Sequence, residues 1–166
     1  MAAPNTLPVY RRILVPTDLS ERAERALAHA CALVAPKGTI HLVHVMERHE
    51  APNPLYAHYG PVIPTAEEWE RMRREASVAL DSLARTCPPP HGVEVHRHVL
   101  EAPQGHVVTV LCRAEQEFGA ELVCIASHGR SGLKRVLLGS VAEALLRRGR
   151  VPTLIVRVDD ADLAHD

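Results

Sequence analysis

From Ala126 to Val141 the chain reads Ala126-Ser127-His128-Gly129-Arg130-Ser131-Gly132-Leu133-Lys134-Arg135-Val136-Leu137-Leu138-Gly139-Ser140-Val141. Glycines, hydroxyls and three cations are the ingredients of an anion-binding loop. Glycine lets backbone N–H groups approach an oxyanion with no Cβ in the way. Arg130, Lys134 and Arg135 supply charge. Ser140-Val141-Ala142-Glu143 carries the serine and glutamate of a capping box. A helix starting there presents free first-turn N–H groups and the positive end of its dipole. The same composition also fits a strand–turn–helix connection with a solvated basic surface.

Other chemistry-bearing groups are sparser. His128 is the obvious proton-transfer group in the loop, and a histidine beside an anion can equally donate a hydrogen bond. His96 and His98 flank Arg97 on one face of a predicted strand, a spacing able to hold a metal ion. With no carboxylate or cysteine cluster beside them, an exposed strand face is the preferred reading. His41 and His44 stand three apart, face opposite ways in a strand and form no ligand pair, so no metal site is expected. Cys31, Cys87, Cys112 and Cys124 lack metal-ligand spacing and are read as buried thiols. There is no G-x4-G-K-[ST] loop, no G-x-G-x2-G fingerprint and no G-x-S-x-G elbow. No acidic pair is spaced to hold Mg2+ beside a water, so no catalytic residue is assigned.

The elements that must position these groups alternate along the chain. Arg12–Pro16 is a short apolar strand, followed by Thr17-Asp18 and by Ser20 as N-cap of a helix with Ala23, Ala26, Leu27, Ala30, Cys31 and Val34 at helical spacing. Pro36-Lys37-Gly38 is expected to stop it, and Thr39–Met46 reads as a second strand. Residues 47–64 carry five of the prolines and glycines and read as a long loop. Thr65-Ala66-Glu67-Glu68 is a capping box for a helix with Trp69, Met72, Ala76, Leu80 and Leu83 on one face. Val93–Leu100 is a third, half-exposed strand, and Pro103 suits the first turn of the next helix, with Val107, Leu111, Ala114 and Phe118 as its face and Gly119 as its cap. Leu122–Ile125 is a buried strand; after the loop and fourth helix, Val151–Val158 is the fifth.

This alternation predicts an α/β fold: one doubly wound, Rossmann-like, five-stranded parallel sheet with four helices and strand order 3-2-1-4-5. The switch point then falls between the first and fourth strands, where Pro16-Thr17-Asp18 and the loop from Ala126 converge. The expected organisation is an N-terminal extension at 1–9, one domain at 10–158 and a disordered acidic tail at 159–166. The 166 residues carry 19 basic and 20 acidic side chains, a net charge of −1, so no overall field favours nucleic acid or an anionic membrane. Neither a membrane-spanning run nor a signal peptide is read, and a cytoplasmic location is the expectation.

The loop resembles the nucleotide loop of the universal stress protein family, G-x2-G-x9-G-[ST], with Gly129 and Gly139-Ser140 in place and Ala126 where the first glycine stands. The resemblance extends to Ile-Leu-Val-Pro-Thr-Asp at 13–18, Leu-Val-His-Val at 42–45 and the closing Val-Pro-Thr-Leu-Ile-Val, nearly the whole chain. It implies an ATP-binding module, with Mg2+ as an optional companion. Pro16, Thr17 and Asp18 would hold the nucleoside end and Val45 would lie against the adenine. Gly129, Arg130, Gly139, Ser140 and Val141 would contact the phosphates, with His128 and Ala126 beside them. A carboxylate such as Asp18 accepts from a ribose hydroxyl or base amino group; an aspartate also simply ends a strand. Glu101 stands where family members often have glycine, either narrowing the site or facing solvent. If position 126 is extended, the extra methyl is a local contact only. The resemblance further implies a homodimer through strand 151–158. Three functions stay open: an ATP-dependent regulatory module, a family member with an empty pocket acting through protein contacts alone, or a slow nucleotide-hydrolysing enzyme.

Overall fold

Among the described residues nine elements alternate along the chain, and the aliphatic segments among them line up side by side. The computed structural model describes residues 8–48, 64–127 and 138–157. In chain order they are β1 (Tyr10–Thr17), α1 (Arg22–Leu33), β2 (Val34–Arg48), α2 (Ala66–Thr86), β3 (Glu94–Pro103), α3 (Val107–Glu117), β4 (Leu122–Ala126), α4 (Ser140–Arg148) and β5 (Thr153–Val156). All strand pairs are parallel and the order is β3-β2-β1-β4-β5, as the alternation predicted. Parallel sheets need both faces covered. Ile13, Val15, Ile40, Leu42 and Cys124 pack under α1 and α2. Leu14, Val43, Val123 and Ile125 pack under α3 and α4. Among the described residues, no helix is long and apolar enough to cross a membrane.

Local signals account for two of the helix ends. Thr65 and Glu68 form the expected capping box, with side chain to backbone bonds in both directions. Gly119 has φ +59° and its N–H bonds back to Gln116, while the Ala120 N–H bonds to Glu115, so the left-handed glycine closes α3. Cys31 and Cys124 are buried and all four cysteines are free thiols; burial, first among the causes, pushes both buried thiols up to about 12.

Several boundaries differ from expectation. α1 ends at Leu33, before Pro36-Lys37-Gly38, because Val34 already turns extended and enters β2; the sheet register then shifts between Tyr10 and Arg12. Pro103 closes β3 rather than opening α3, since pairing with β2 continues to Arg48↔Pro103 and a turn with Gly105 at φ +75° intervenes. Met72 lies at the margin of the buried face of α2 and is exposed, whereas Trp69, Ala76, Leu80 and Leu83 are buried. The 1–9 extension, the 47–64 loop and the acidic tail fall wholly or largely outside the described residues.

Candidate functional site

β1 and β4 are neighbours whose following helices lie on opposite faces, so a crevice opens beyond their carboxyl ends. There the structure has a cavity of about 230 Å³. Pro16, Thr17 and Asp18 contribute one wall, Val45 a second, and Ala126, Gly139, Ser140 and Val141 a third. Eight of the sequence-predicted residues are thus brought together. His128, Gly129 and Arg130, with Lys134 and Arg135, lie outside the described residues.

The end of β1 is shaped by its own side chains. Asp18 Oδ1 accepts from the Ser20 hydroxyl at 2.6 Å and from the Ser20 N–H at 3.2 Å. Thr17 Oγ1 accepts from the Leu19 N–H at 2.9 Å, and Leu19 takes φ +63°. These short-range bonds fix the Asp18 carboxylate at the cavity wall. They also explain why Ser20 is not the N-cap of α1: its hydroxyl is turned back to Asp18, and Glu21 occupies the cap with no side-chain bond.

Across the crevice, the Ser127 N–H donates to Val156 and the Ser127 carbonyl accepts from the Gly139 N–H, both at 2.8 Å. The second bond pins the start of α4 to the end of β4. The first intrahelical bond of α4 is Glu143 N–H to Gly139. Ser140, Val141 and Ala142 therefore precede any helical acceptor, and their N–H groups carry the positive end of the dipole. The expected capping box at Ser140 does not form: Gly139 is the N-cap, without a side-chain bond, and Ser140 is the first helical residue. A glycine at the cap leaves those donors uncovered by any cap side chain.

Ala126 closes β4 in register with Val156. It is not among the described non-glycine residues with positive φ, which are Leu19 and Lys37. The backbone there is extended, so the methyl adds a local contact and no φ strain.

Residues the sequence did not assign to the site complete the walls. Val43, Val107, Leu111 and Ile125 are apolar, and His44 and Ser127 are polar. His44 Nδ1 lies 2.9 Å from the Thr17 carbonyl, which only accepts, so Nδ1 carries the proton. His44 was legible as the register partner of Thr17 once β1 and β2 were paired. The valines and leucine carried no signal, because a cavity wall and a core position have the same composition.

Glu101 is absent from the cavity wall. Its carboxylate is held by Arg48, at 2.8 Å, and Arg73, at 2.9 Å, with the Arg48 guanidinium 4.7 Å from the centre of the Trp69 ring. Burial alone would raise its pKa; the two guanidiniums outweigh this and hold it below the ordinary carboxylate range. Glu101 neither narrows the crevice nor simply faces solvent.

The histidines also depart from expectation. His96 and His98 do not stand alone on an exposed face: the register pairs His41 of β2 with His96 of β3, and His41 is buried. Burial first, then His98, His96 and Arg12, hold His41 down at about 4; burial and then His96 lower His98.

The universal stress protein family model matches residues 9–157. Universal stress protein MJ0577 of Methanocaldococcus jannaschii is 29% identical over 159 residues, which cover 90% of this chain and 96% of that protein. The solved structure of MJ0577 is similar with a TM-score of 0.70 at 24% identity, covering 92% of this chain and 99% of that one. Two further structures are similar in fold. One is a universal stress protein in complex with cAMP, at TM-score 0.58 and 22% identity, covering 92% of this chain and 100% of that one. The other is the Archaeoglobus fulgidus protein in complex with dAMP, at TM-score 0.54 and 20% identity, covering 89% and 98%.

Proposed function

The chain belongs to the universal stress protein family, and from that premise we propose that it is an ATP-binding regulatory module whose nucleotide state governs its assembly or choice of partner. The observation that carries this reading is the crevice itself. A carboxylate, Asp18, fixed by Ser20, faces the uncapped start of α4 across a cavity with apolar walls. Such a site offers an acceptor for hydroxyl or amino groups, an apolar slot for a flat base and N–H donors for phosphate. That adenine nucleotides occupy two proteins of the same fold supports the reading.

In this reading Asp18 with Pro16 and Thr17 receives the nucleoside end, and Val43 and Val45 with Leu111 flank the base. Ser140 and Val141 donate backbone N–H groups to phosphate, with Gly129, Arg130 and Gly139 as further phosphate contacts and His128 nearby. Among the described residues of the crevice Asp18 is the one carboxylate, and it is already engaged with Ser20. Any Mg2+ would arrive with the phosphates, and turnover would be slow at most.

The test is calorimetric titration of ATP, AMP and cAMP into nucleotide-free protein, with mass spectrometry of any nucleotide that co-purifies. ATP binding in the wild type, weakened at least tenfold in Asp18→Ala, is the expected result. A folded wild type that binds none of the three overturns it in favour of a module acting through protein contacts alone.

A further inference from the structure

At the amino ends of β2 and β3, on the face that carries α3 and away from the crevice, three imidazoles converge. His41 and His96 are direct register partners on adjacent strands, and His98, two residues on, shares their face. One ring nitrogen from each lies within 4.8 Å of the other two. The separation of His41 Nδ1 and His98 Nε2 is 3.2 Å. Two nitrogens bound to one tetrahedral zinc at about 2.0–2.1 Å stand about 3.3–3.4 Å apart. The His41–His98 pair is therefore already near ligand spacing, and a nitrogen of the third ring, exposed on the edge strand, lies within 4.8 Å of both.

The surroundings fit such a site. Phe118 stacks on His41, with centroids 4.6 Å apart and planes at 10°, and on His98 at 4.3 Å and 25°. One apolar ring thus locks the orientation of two ligands and covers them from water. Glu94 Oε2 lies 3.1 Å from His96 Nε2, the carboxylate–imidazole pairing that metal-bound histidines keep on their second nitrogen. Arg12, whose charge acts on His41, is engaged by Glu121 Oε1 and the Gly119 carbonyl, each at 2.6 Å. His41 is buried, His98 half-buried and His96 exposed, so the cluster opens to solvent on one side.

We propose that His41, His96 and His98 form a site for a divalent transition metal of the zinc class, with a fourth position open to water. Three imidazoles without thiolate or clustered carboxylates suit Zn2+, Cu2+ or Ni2+ and disfavour Mg2+ or Ca2+. Bound there, the ion would clamp β2 to β3 at the sheet edge, independently of the crevice.

The experiment uses untagged, nucleotide-free protein, titrated with Zn2+ against a chromogenic chelator and separately with Co2+, whose visible bands report tetrahedral nitrogen coordination. One Zn2+ per chain is expected, with affinity reduced at least tenfold in His96→Ala and in His41→Gln, and unchanged in His91→Ala, an exposed histidine elsewhere. Because His96 is exposed, its variant should fold, and its circular dichroism spectrum should match the wild type. Zn2+ should also raise the melting temperature of wild type and not of His96→Ala. Absence of stoichiometric binding, or binding that His96→Ala leaves intact, overturns the proposal: the cluster is then a hydrogen-bonded histidine pair with an exposed neighbour.

Discussion

Ala126→Gly tests whether the departure from the family loop is silent. The residue closes β4, pairs with Val156 and lies at the cavity wall. In extended backbone alanine carries no φ penalty, and a glycine in a strand costs about 0.5–1 kcal/mol of stability through the extra freedom of the unfolded chain. Were the position left-handed, alanine would be strained by about 1–2 kcal/mol, and glycine would relieve it. Expressed on binding, that relief would be about five- to thirtyfold in affinity. The two conformations thus predict opposite signs for stability. The extended strand of the structure predicts that Ala126→Gly loses about 0.5–1 kcal/mol in urea denaturation. ATP affinity should change by less than about threefold, because only a methyl contact is removed. Both are measured on one preparation, by denaturant midpoint at constant slope and by calorimetric titration. A variant that is more stable than wild type and binds ATP tenfold tighter would refute the reasoning.

Glu101, whose pKa is lowered from 4.5, adds stability that is present above that value and lost as pH falls through the lowered one. Glu101→Gln should cost about 1 kcal/mol at neutral pH, a figure kept small by solvent screening, flatten the acid limb of a urea stability–pH profile and leave ATP affinity unchanged. β5 ends the sheet, and two-fold pairing through it is the proposed dimer contact; Ile155→Lys should give monomers in sedimentation equilibrium, and an unchanged dimer would refute the contact. Leu27 is fully buried between α1 and the sheet, so Leu27→Ala should lower the unfolding free energy by about 2–5 kcal/mol in chemical denaturation.

Local patterning determined the elements and their sequence. Short apolar runs such as Ile13–Val15 and Leu122–Ile125, bounded by turn residues, read as buried strands, and the spacing of Ala23, Ala26, Leu27 and Ala30 as a core-facing helix. The Thr65–Glu68 box and Gly119 are read directly because a cap involves residues a few positions apart. The alternation of strands and helices then implied the order 3-2-1-4-5, and that order carries Asp18, Val45, Ala126 and Ser140 to one crevice. Where short-range competition set the outcome, the reading slipped by a few residues: Ser20 is claimed by Asp18, Gly139 caps α4, and the ladder keeps Pro103 in β3.

What tertiary structure alone decided is everything that depends on which residue lies across from which. The same periodicity that marks Val43, Val107 and Leu111 as core cannot say that they border a cavity, because burial and enclosure use one side-chain chemistry. Glu101 finds Arg48 and Arg73, 53 and 28 positions away. His41 meets His96 and His98 only because β2 and β3 pair in one register; a shift of a single residue would turn His96 and His98 to the opposite face. That register is set by the packing of α2 and α3 against the two faces of the strands, a sum of contacts between residues far apart in the chain.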